Sequence, residues 1–256
     1  MLKPSLEEVK ALAKQYNTIP VFYEFSADNQ TPLNIYAALS KDSRNSFILE
    51  SVSNGVQWDR YSFVGVSPKE EICITGNTAE IRTGDKIETK EVEQPIAFLK
   101  ERMAAYRSPV LEGAPNFTGG LIGYFGYDTV RYMEKKLTHV PEDDIHMPDC
   151  HLFLYEELLA YDHLTSNGIV ILNLHTDGDL GAQYAAAQWR AEELADIVRH
   201  YNPQPQVRQH HGEAVVRSNL TKEQYSQMVR DAKEYIRNGD IFQIVLSQRF
   251  EISNPP

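Results

Sequence analysis

The sequence predicts an α+β fold built largely of antiparallel sheets with flanking helices. Three observations carry this expectation. Short runs rich in β-branched and aromatic residues follow one another between Ser46 and Thr89, divided by Gly, Asn and Ser. Two turn signals, Thr83–Asp85 and Asn167-Gly168, read as hairpins, and hairpins join antiparallel neighbours. Helical periods are interspersed among the strand runs without a regular βαβ alternation, which argues against a doubly wound parallel sheet.

The elements follow in order. "PSLEEVKALAKQY" predicts a helix with a Ser5/Glu8 capping box and Leu6, Val9, Leu12, Ala13 and Tyr16 on one face. "TPLNIYAALS" predicts a second helix, with Thr31 as its N-cap and Pro32 at the first helical position. "SFILESVS", "RYSFVGVS", "EEICITG" and "AEIRTGDKIET" read as strands, and "IAFLKERMAAY" returns to helical period. The glycine-rich "FTGGLIGYFGYDTVRYMEKK" comes next. "HLFLYEELLAYDHLTSNGIVILNLH" reads as a hairpin turning at Asn167-Gly168. "LGAQYAAAQWRAEELADIVRHY" is a long helix. The run Asn202–Glu213 has no apolar period and marks a boundary. After it, Thr221 and Gln224 cap a helix that lines up Tyr225, Met228, Val229, Ala232, Tyr235 and Ile236 and stops at Asn238-Gly239. "IFQIVLSQRF" then reads as a strand.

The 256 residues suffice for one large or two small domains with a sizeable core. Hydrophobic residues at 42% and charged residues at 24% are ordinary for a globular chain. The net charge of −11 argues against nucleic acid and anionic membranes as general partners. Cys73 and Cys150 lack metal or redox spacing, which points to reduced thiols in a cytoplasmic setting. The opening "MLKPSLEEVK" has charges where a signal peptide needs an apolar core, and no stretch is long and apolar enough to span a membrane.

Few residues stand out for chemistry. Gly119, Gly120, Gly123 and Gly126 are interleaved with strand formers and no lysine follows, so a closely approached strand fits better than a phosphate loop. The eight histidines show no ligand spacing, and Asp162-His163 reads as a structural cap at a strand end. Glu50 and Ser51 close an apolar run. A buried Glu50 would need a cation, either Arg60 or a ligand ammonium. On the terminal strand, Gln243, Ser247 and Arg249 would form a polar row suited to a carboxylate-rich ligand, or a solvated face.

Several stretches in this order, "TPLNIYAALS", "FILES", "DRYSFVG", "GGLIGYFGYDTVRYME" and "SNLTKEQYSQMVRDAKEYIRNGDIFQIVLSQRF", resemble the large, chorismate-converting subunit of anthranilate synthase. The resemblance runs from about Ile19 to Phe250. It implies half of a layered α/β/β/α sandwich of the chorismate-utilising type. Residues 1–201 would be an N-terminal domain with a regulatory tryptophan site, 202–217 a linker and 218–256 the start of the chorismate-binding catalytic domain. Ile48, Leu49, Glu50 and Ser51 fall on the family's "LLES" motif, so Glu50 would meet the tryptophan ammonium and Ser51 add a hydroxyl, with Arg60 a weaker contributor.

The family's reaction converts chorismate and ammonia to anthranilate and pyruvate. It uses Mg2+, and a glutamine amidotransferase subunit supplies the ammonia. The family's metal-binding and catalytic segments have no counterpart in these residues, so the chain alone is expected to be inactive. Gln243 takes the place where water-using relatives carry a lysine, which fits ammonia as nucleophile. Aminodeoxychorismate synthase shares that glutamine and stays open as an alternative, as do a non-catalytic tryptophan-binding module and a docking half that binds nothing small.

Overall fold

Ser5 starts the first helix, α1 (Leu6–Leu12), through the reciprocal cap that the sequence predicts. Its hydroxyl accepts from the Glu8 N–H, and the Glu8 carboxylate accepts from the Ser5 N–H. The structure is a computed structural model that describes residues 1–50, 60–134, 136–138, 140, 142–203 and 214–253. These fall into two compact units, Met1–Pro203 and Gln204–Pro256. After α1 the first unit contains β1 (Thr18–Ser26), α2 (Pro32–Leu39), β2 (Ser46–Leu49), β3 (Tyr61–Val66), β4 (Glu70–Thr75), β5 (Thr78–Thr83) and β6 (Lys86–Glu91). It continues with α3 (Pro95–Ala104), β7 (Gly120–Phe125), β8 (Cys150–Tyr155), β9 (Glu157–Asp162), β10 (Asn167–His175) and α4 (Leu180–Arg199). The second unit contains β11 (Val215–Ser218), α5 (Lys222–Asn238) and β12 (Phe250–Ser253).

The strands of the first unit form two five-stranded sheets, ordered β1-β10-β9-β3-β2 and β6-β5-β4-β8-β7. Every pairing in them is antiparallel. Only Glu156 separates β8, in the second sheet, from β9, in the first. The Glu156 carbonyl at this corner accepts from the Asn173 N–H at 3.1 Å and from Asn173 Nδ2 at 2.9 Å. The chain therefore changes sheets without leaving that acceptor unpaired.

Alternation along the strands sorts the core into layers. Val170, Leu172 and Leu174 of β10 pack with Ile19 and Val21 of β1, Val9 of α1, Ile35 of α2 and Ala191, Leu194 and Val198 of α4. Ile169 and Ile171 point the other way and join Leu158, Tyr155, Phe63, Phe153 and Ile122 between the sheets. Ile72, Ile74, Ile81, Cys150 and Leu152 cover the far face of the second sheet beneath Phe98 and Leu99 of α3. The layers run helix, sheet, sheet, helix. Each fully buried aliphatic side chain among them, such as Ile171, contributes about 1.5–3 kcal/mol.

Several expectations hold at the level of single residues. Thr31 and Pro32 begin α2. Gly84 takes φ +58 in the two-residue turn closed by Thr83 and Lys86, a backbone region that glycine enters freely. The glycine-rich run forms β7. A Cβ on Gly123 would lie 2.0 Å from the His151 carbonyl oxygen, so glycine is what lets β7 approach β8. In the second unit Thr221 and Gln224 form the predicted capping box on α5.

Two expectations are corrected, and one strand, β1, is present that is not among those read from the sequence. β1 carries Pro20 and is an edge strand, a place where a strand tolerates a missing N–H. The hairpin between β9 and β10 turns at residues 163–166, not at Asn167-Gly168, which pair with Asp162 and Tyr161 inside the ladder. Gly168 is a packing position instead: a Cβ there would lie 2.4 Å from the Phe25 ring. Finally, residues 241–249 are not a strand, and only Phe250–Ser253 pair, with Val215–Ser218. Alternating polarity marks a segment that can join a sheet, but a strand also needs a ladder partner, and residues 241–249 form no ladder among the described residues, although Arg249 exchanges hydrogen bonds with Asn219. The expected linker, 202–217, overlaps 204–213, which lie outside the described residues, and its last residues belong to β11.

Candidate functional site

The ladder between β2 and β3 ends at Leu49 opposite Phe63, which puts Glu50 and Arg60 at the same end of the two strands. Ser51 lies outside the described residues. Glu50 is exposed, so the premise that it is buried and needs an internal cation is overturned. Arg60 pairs elsewhere: its Nε donates to Asp162 Oδ1 at 2.9 Å and its Nη2 to Oδ2 at 2.6 Å. The physical reason is burial. Asp162 is 3% exposed and would be costly to leave unpaired, whereas Glu50 keeps its hydration.

Asp162 also organises the turn beside it. Its carboxylate accepts from the Leu164 N–H at 3.0 Å and from the Thr165 hydroxyl at 2.9 Å, as the cap read from the sequence requires. Burial pushes this carboxyl up, but the hydrogen bonds from Arg60, Leu164 and Thr165 outweigh it and hold it below the usual aspartate range. The Arg60 guanidinium stacks over Tyr61, 4.9 Å from the ring centre, and the Ser62 hydroxyl lies 2.8 Å from His163 Nε2.

This end of the first sheet offers a ligand an exposed carboxylate, Glu50, at the same strand ends as a cation that Asp162 already pairs with. Arg60 Nη1 makes no hydrogen bond to a described residue. Such an arrangement suits an ammonium group better than a second anion.

The other predicted row lies in the second unit. Gln243 and Ser247 are exposed within the run 241–249, which forms no strand. Arg249 donates its backbone N–H to Asn219 Oδ1 at 2.9 Å, and its Nε lies 3.3 Å from Glu251 Oε1. Without a strand, the three side chains do not share a sheet face, so the polar row expected from alternation is not formed by these residues.

Sequence reasoning missed the ion pairs that tie helices to sheets. Arg102 of α3 grips Glu70 of β4 through Nε at 3.0 Å and Nη2 at 2.7 Å. Arg190 of α4 holds Glu157 of β9 through Nε at 2.9 Å and Nη2 at 2.8 Å, and the Glu157 hydrogen bonds raise its pKa further. Lys69, Glu156 and His175 meet at the corner between the sheets, with Lys69 Nζ 2.8 Å from Glu156 Oε1 and His175 Nε2 2.9 Å from it. No local motif announces such pairs, because the sheet order makes them. Among the described residues no group of three or more His, Cys, Asp or Glu could hold a metal ion, so these residues do not fit a Mg2+ site. No helix among them is long and apolar enough to cross a membrane.

The comparisons with known proteins agree with one another. The sequence matches the chorismate binding enzyme family over residues 52–256. Anthranilate synthase component 1 of Acetivibrio thermocellus is 39% identical over 261 residues, covering 97% of this chain and 51% of the relative. Its counterpart from Pseudomonas aeruginosa is 36% identical over 258 residues, covering 96% and 51%. The crystal structure of anthranilate synthase component I from Streptococcus pneumoniae superposes with a TM-score of 0.58 at 27% identity, covering 89% of this chain and 48% of that one. The chain spans about half the length of the curated relatives it matches.

Proposed function

The chain belongs to the chorismate binding enzyme family, and on that footing we propose that it is the N-terminal part of an anthranilate synthase large subunit. The observation that carries this reading is the collinear match to anthranilate synthase component 1, at 39% identity across 97% of the chain. The whole protein would convert chorismate and ammonia to anthranilate, pyruvate and water in the cytoplasm, with ammonia delivered by a glutamine amidotransferase subunit and Mg2+ held by residues other than those described. Residues 1–201 would carry the regulatory site and 218–256 would begin the catalytic domain, joined through 202–217.

In the regulatory role, Glu50 would accept the tryptophan ammonium, Ser51 would add a hydroxyl contact and Arg60 would contribute through Nη1. The exposure of Glu50 supports this, since an exposed carboxylate is free to take a ligand cation. A charge-assisted hydrogen bond is worth about 1.5–3 kcal/mol, so Glu50→Gln or Ser51→Ala in the whole enzyme should raise the tryptophan concentration for half-inhibition about tenfold or more. Turnover without tryptophan should be unchanged. Inhibition at the wild-type concentration in both variants would remove these residues from the site.

On the substrate side, Gln243 would face the reacting ring, with Ser247 and Arg249 near the ligand carboxylates. A glutamine cannot act as a base toward water, whereas a lysine can. Gln243→Lys should therefore lower anthranilate formation about tenfold or more, because the added cation perturbs the site and admits water as a competitor. Anthranilate fluorescence from chorismate and ammonium is the assay. Accumulation of an aminated chorismate with its pyruvyl group retained would instead identify aminodeoxychorismate synthase and overturn the reading.

A further inference from the structure

We propose that the outer edge of β1 is a docking strand that takes an extended, lysine- or arginine-rich peptide segment of a partner protein. The starting point is an accounting of backbone donors along that edge. Phe22 exchanges both backbone hydrogen bonds with Lys3, N–H to O at 2.7 Å and O from N–H at 2.9 Å, while its neighbours in β1 pair with β10. Even-numbered residues of β1 thus turn their backbone groups outward. Thr18 N–H goes to the Arg107 carbonyl at 3.2 Å, and Pro20 has no N–H to place. Glu24 and Ser26 remain, and neither makes an outward backbone hydrogen bond to a described residue.

These two residues do not face open water alone. They line a groove of about 780 Å³ whose apolar walls include Phe22, Ile169 and Leu111. Glu8, Glu24 and Glu112 line it as well, and none of the three forms an ion pair with a described residue. Glu24 is oriented by Asn167, whose Nδ2 donates to Oε1 at 2.8 Å. Lys3 is the one lysine or arginine in the lining. Backbone groups without a described partner, an apolar wall and carboxylates without a described cation in ion-pair range are what strand addition by a cationic peptide uses: the ladder gives affinity, and alternate side chains give selectivity.

A second copy of this chain fits the edge poorly. Its net charge is −11, and pairing two β1 edges would bring the glutamates of both together.

The test uses the 256-residue chain, or the longer protein that contains it, and a fluorescent octapeptide of alternating lysine and valine. Anisotropy should show saturable binding that weakens with salt, and the backbone amides of Glu24 and Ser26 should shift in its NMR spectrum. An alternating glutamate–valine octapeptide should not bind. Glu24→Pro removes an outward N–H without touching the β10 ladder, as Pro20 already does four residues earlier on the same edge. It should weaken binding about tenfold or more while keeping the thermal midpoint. Glu24→Lys with Glu112→Lys should give the same loss by charge reversal, and this variant decides the matter if Glu24→Pro does not fold. Absence of binding, equal binding of both peptides, full binding by the charge-reversed variant, or dimerisation through β1 without peptide binding would each overturn the proposal.

Discussion

Replacing Gly123 with alanine should destabilise the protein by about 3 kcal/mol or more, enough to detach β7 from the second sheet. The added Cβ would sit 2.0 Å from the His151 carbonyl oxygen, 2.9 Å from His151 C and 2.9 Å from Leu152 Cα. All three are backbone atoms of β8, so no side-chain rotation relieves the clash. β7 is an edge strand with β8 as its single ladder partner. Moving it away also withdraws Leu121 and Ile122 from the two core layers they join. The comparison is Gly76→Ala. Gly76 has φ +57 but nothing within 4 Å of an added Cβ, so only the left-handed backbone is strained, at about 1–2 kcal/mol. Urea denaturation followed by near-ultraviolet circular dichroism separates the two. A midpoint for Gly123→Ala equal to or above that of Gly76→Ala would refute the close approach.

Asp162→Ala should cost about 3 kcal/mol, since it strips four hydrogen bonds from one turn and leaves the Leu164 N–H and Thr165 hydroxyl without that acceptor. Arg60 is 44% exposed, so its own loss is screened by solvent and Arg60→Ala should cost less. The two variants also differ in their dependence on pH. The folded-state pKa of Asp162 is depressed, so its contribution is fully present above the unfolded aspartate pKa of roughly 3.9 and is lost as pH falls through the folded value. Arg60→Ala removes the guanidinium's lowering influence while the Leu164 and Thr165 hydrogen bonds remain, so the folded-state pKa rises and the stability that Asp162 loses on acidification shrinks. Asp162→Asn removes this contribution to the acid limb. An unchanged acid limb in all three variants would show that the pair does not couple to folding.

The residues that were legible in the sequence are those whose structure is decided by near neighbours. Ser5 with Glu8, Thr221 with Gln224, and Thr31 with Pro32 each announce a helix start within four positions. The turn at Gly84 is equally local. Asn167-Gly168 shows where this fails: Asp162 holds the turn at 163–166 through its own hydrogen bonds, and Gly168 is required by the Phe25 ring on another strand. At the candidate site the same division holds. Glu50 was visible as a residue ending an apolar run, but its exposure depends on sheet order. The partner of Arg60 lies 102 positions away, beyond the reach of any local pattern. The terminal run failed for a related reason, since its alternation is real but its ladder depends on what lies beside it.

The corner at Glu156 governs which lengths of chain this fold tolerates. One extra residue between Tyr155 and Glu157 would pass Leu158 and Ala160 to the helix side and Leu159 to the space between the sheets. It would also carry Asp162 away from Arg60. No slack exists there to absorb the change, because β8 and β9 are each held on both sides by other strands. The turn at Gly84-Asp85 has the opposite character: it joins only β5 to the edge strand β6, whose residues are all exposed, and extra residues there add little more than loop-closure entropy. Natural variation in length should therefore gather at that hairpin tip and spare the corner.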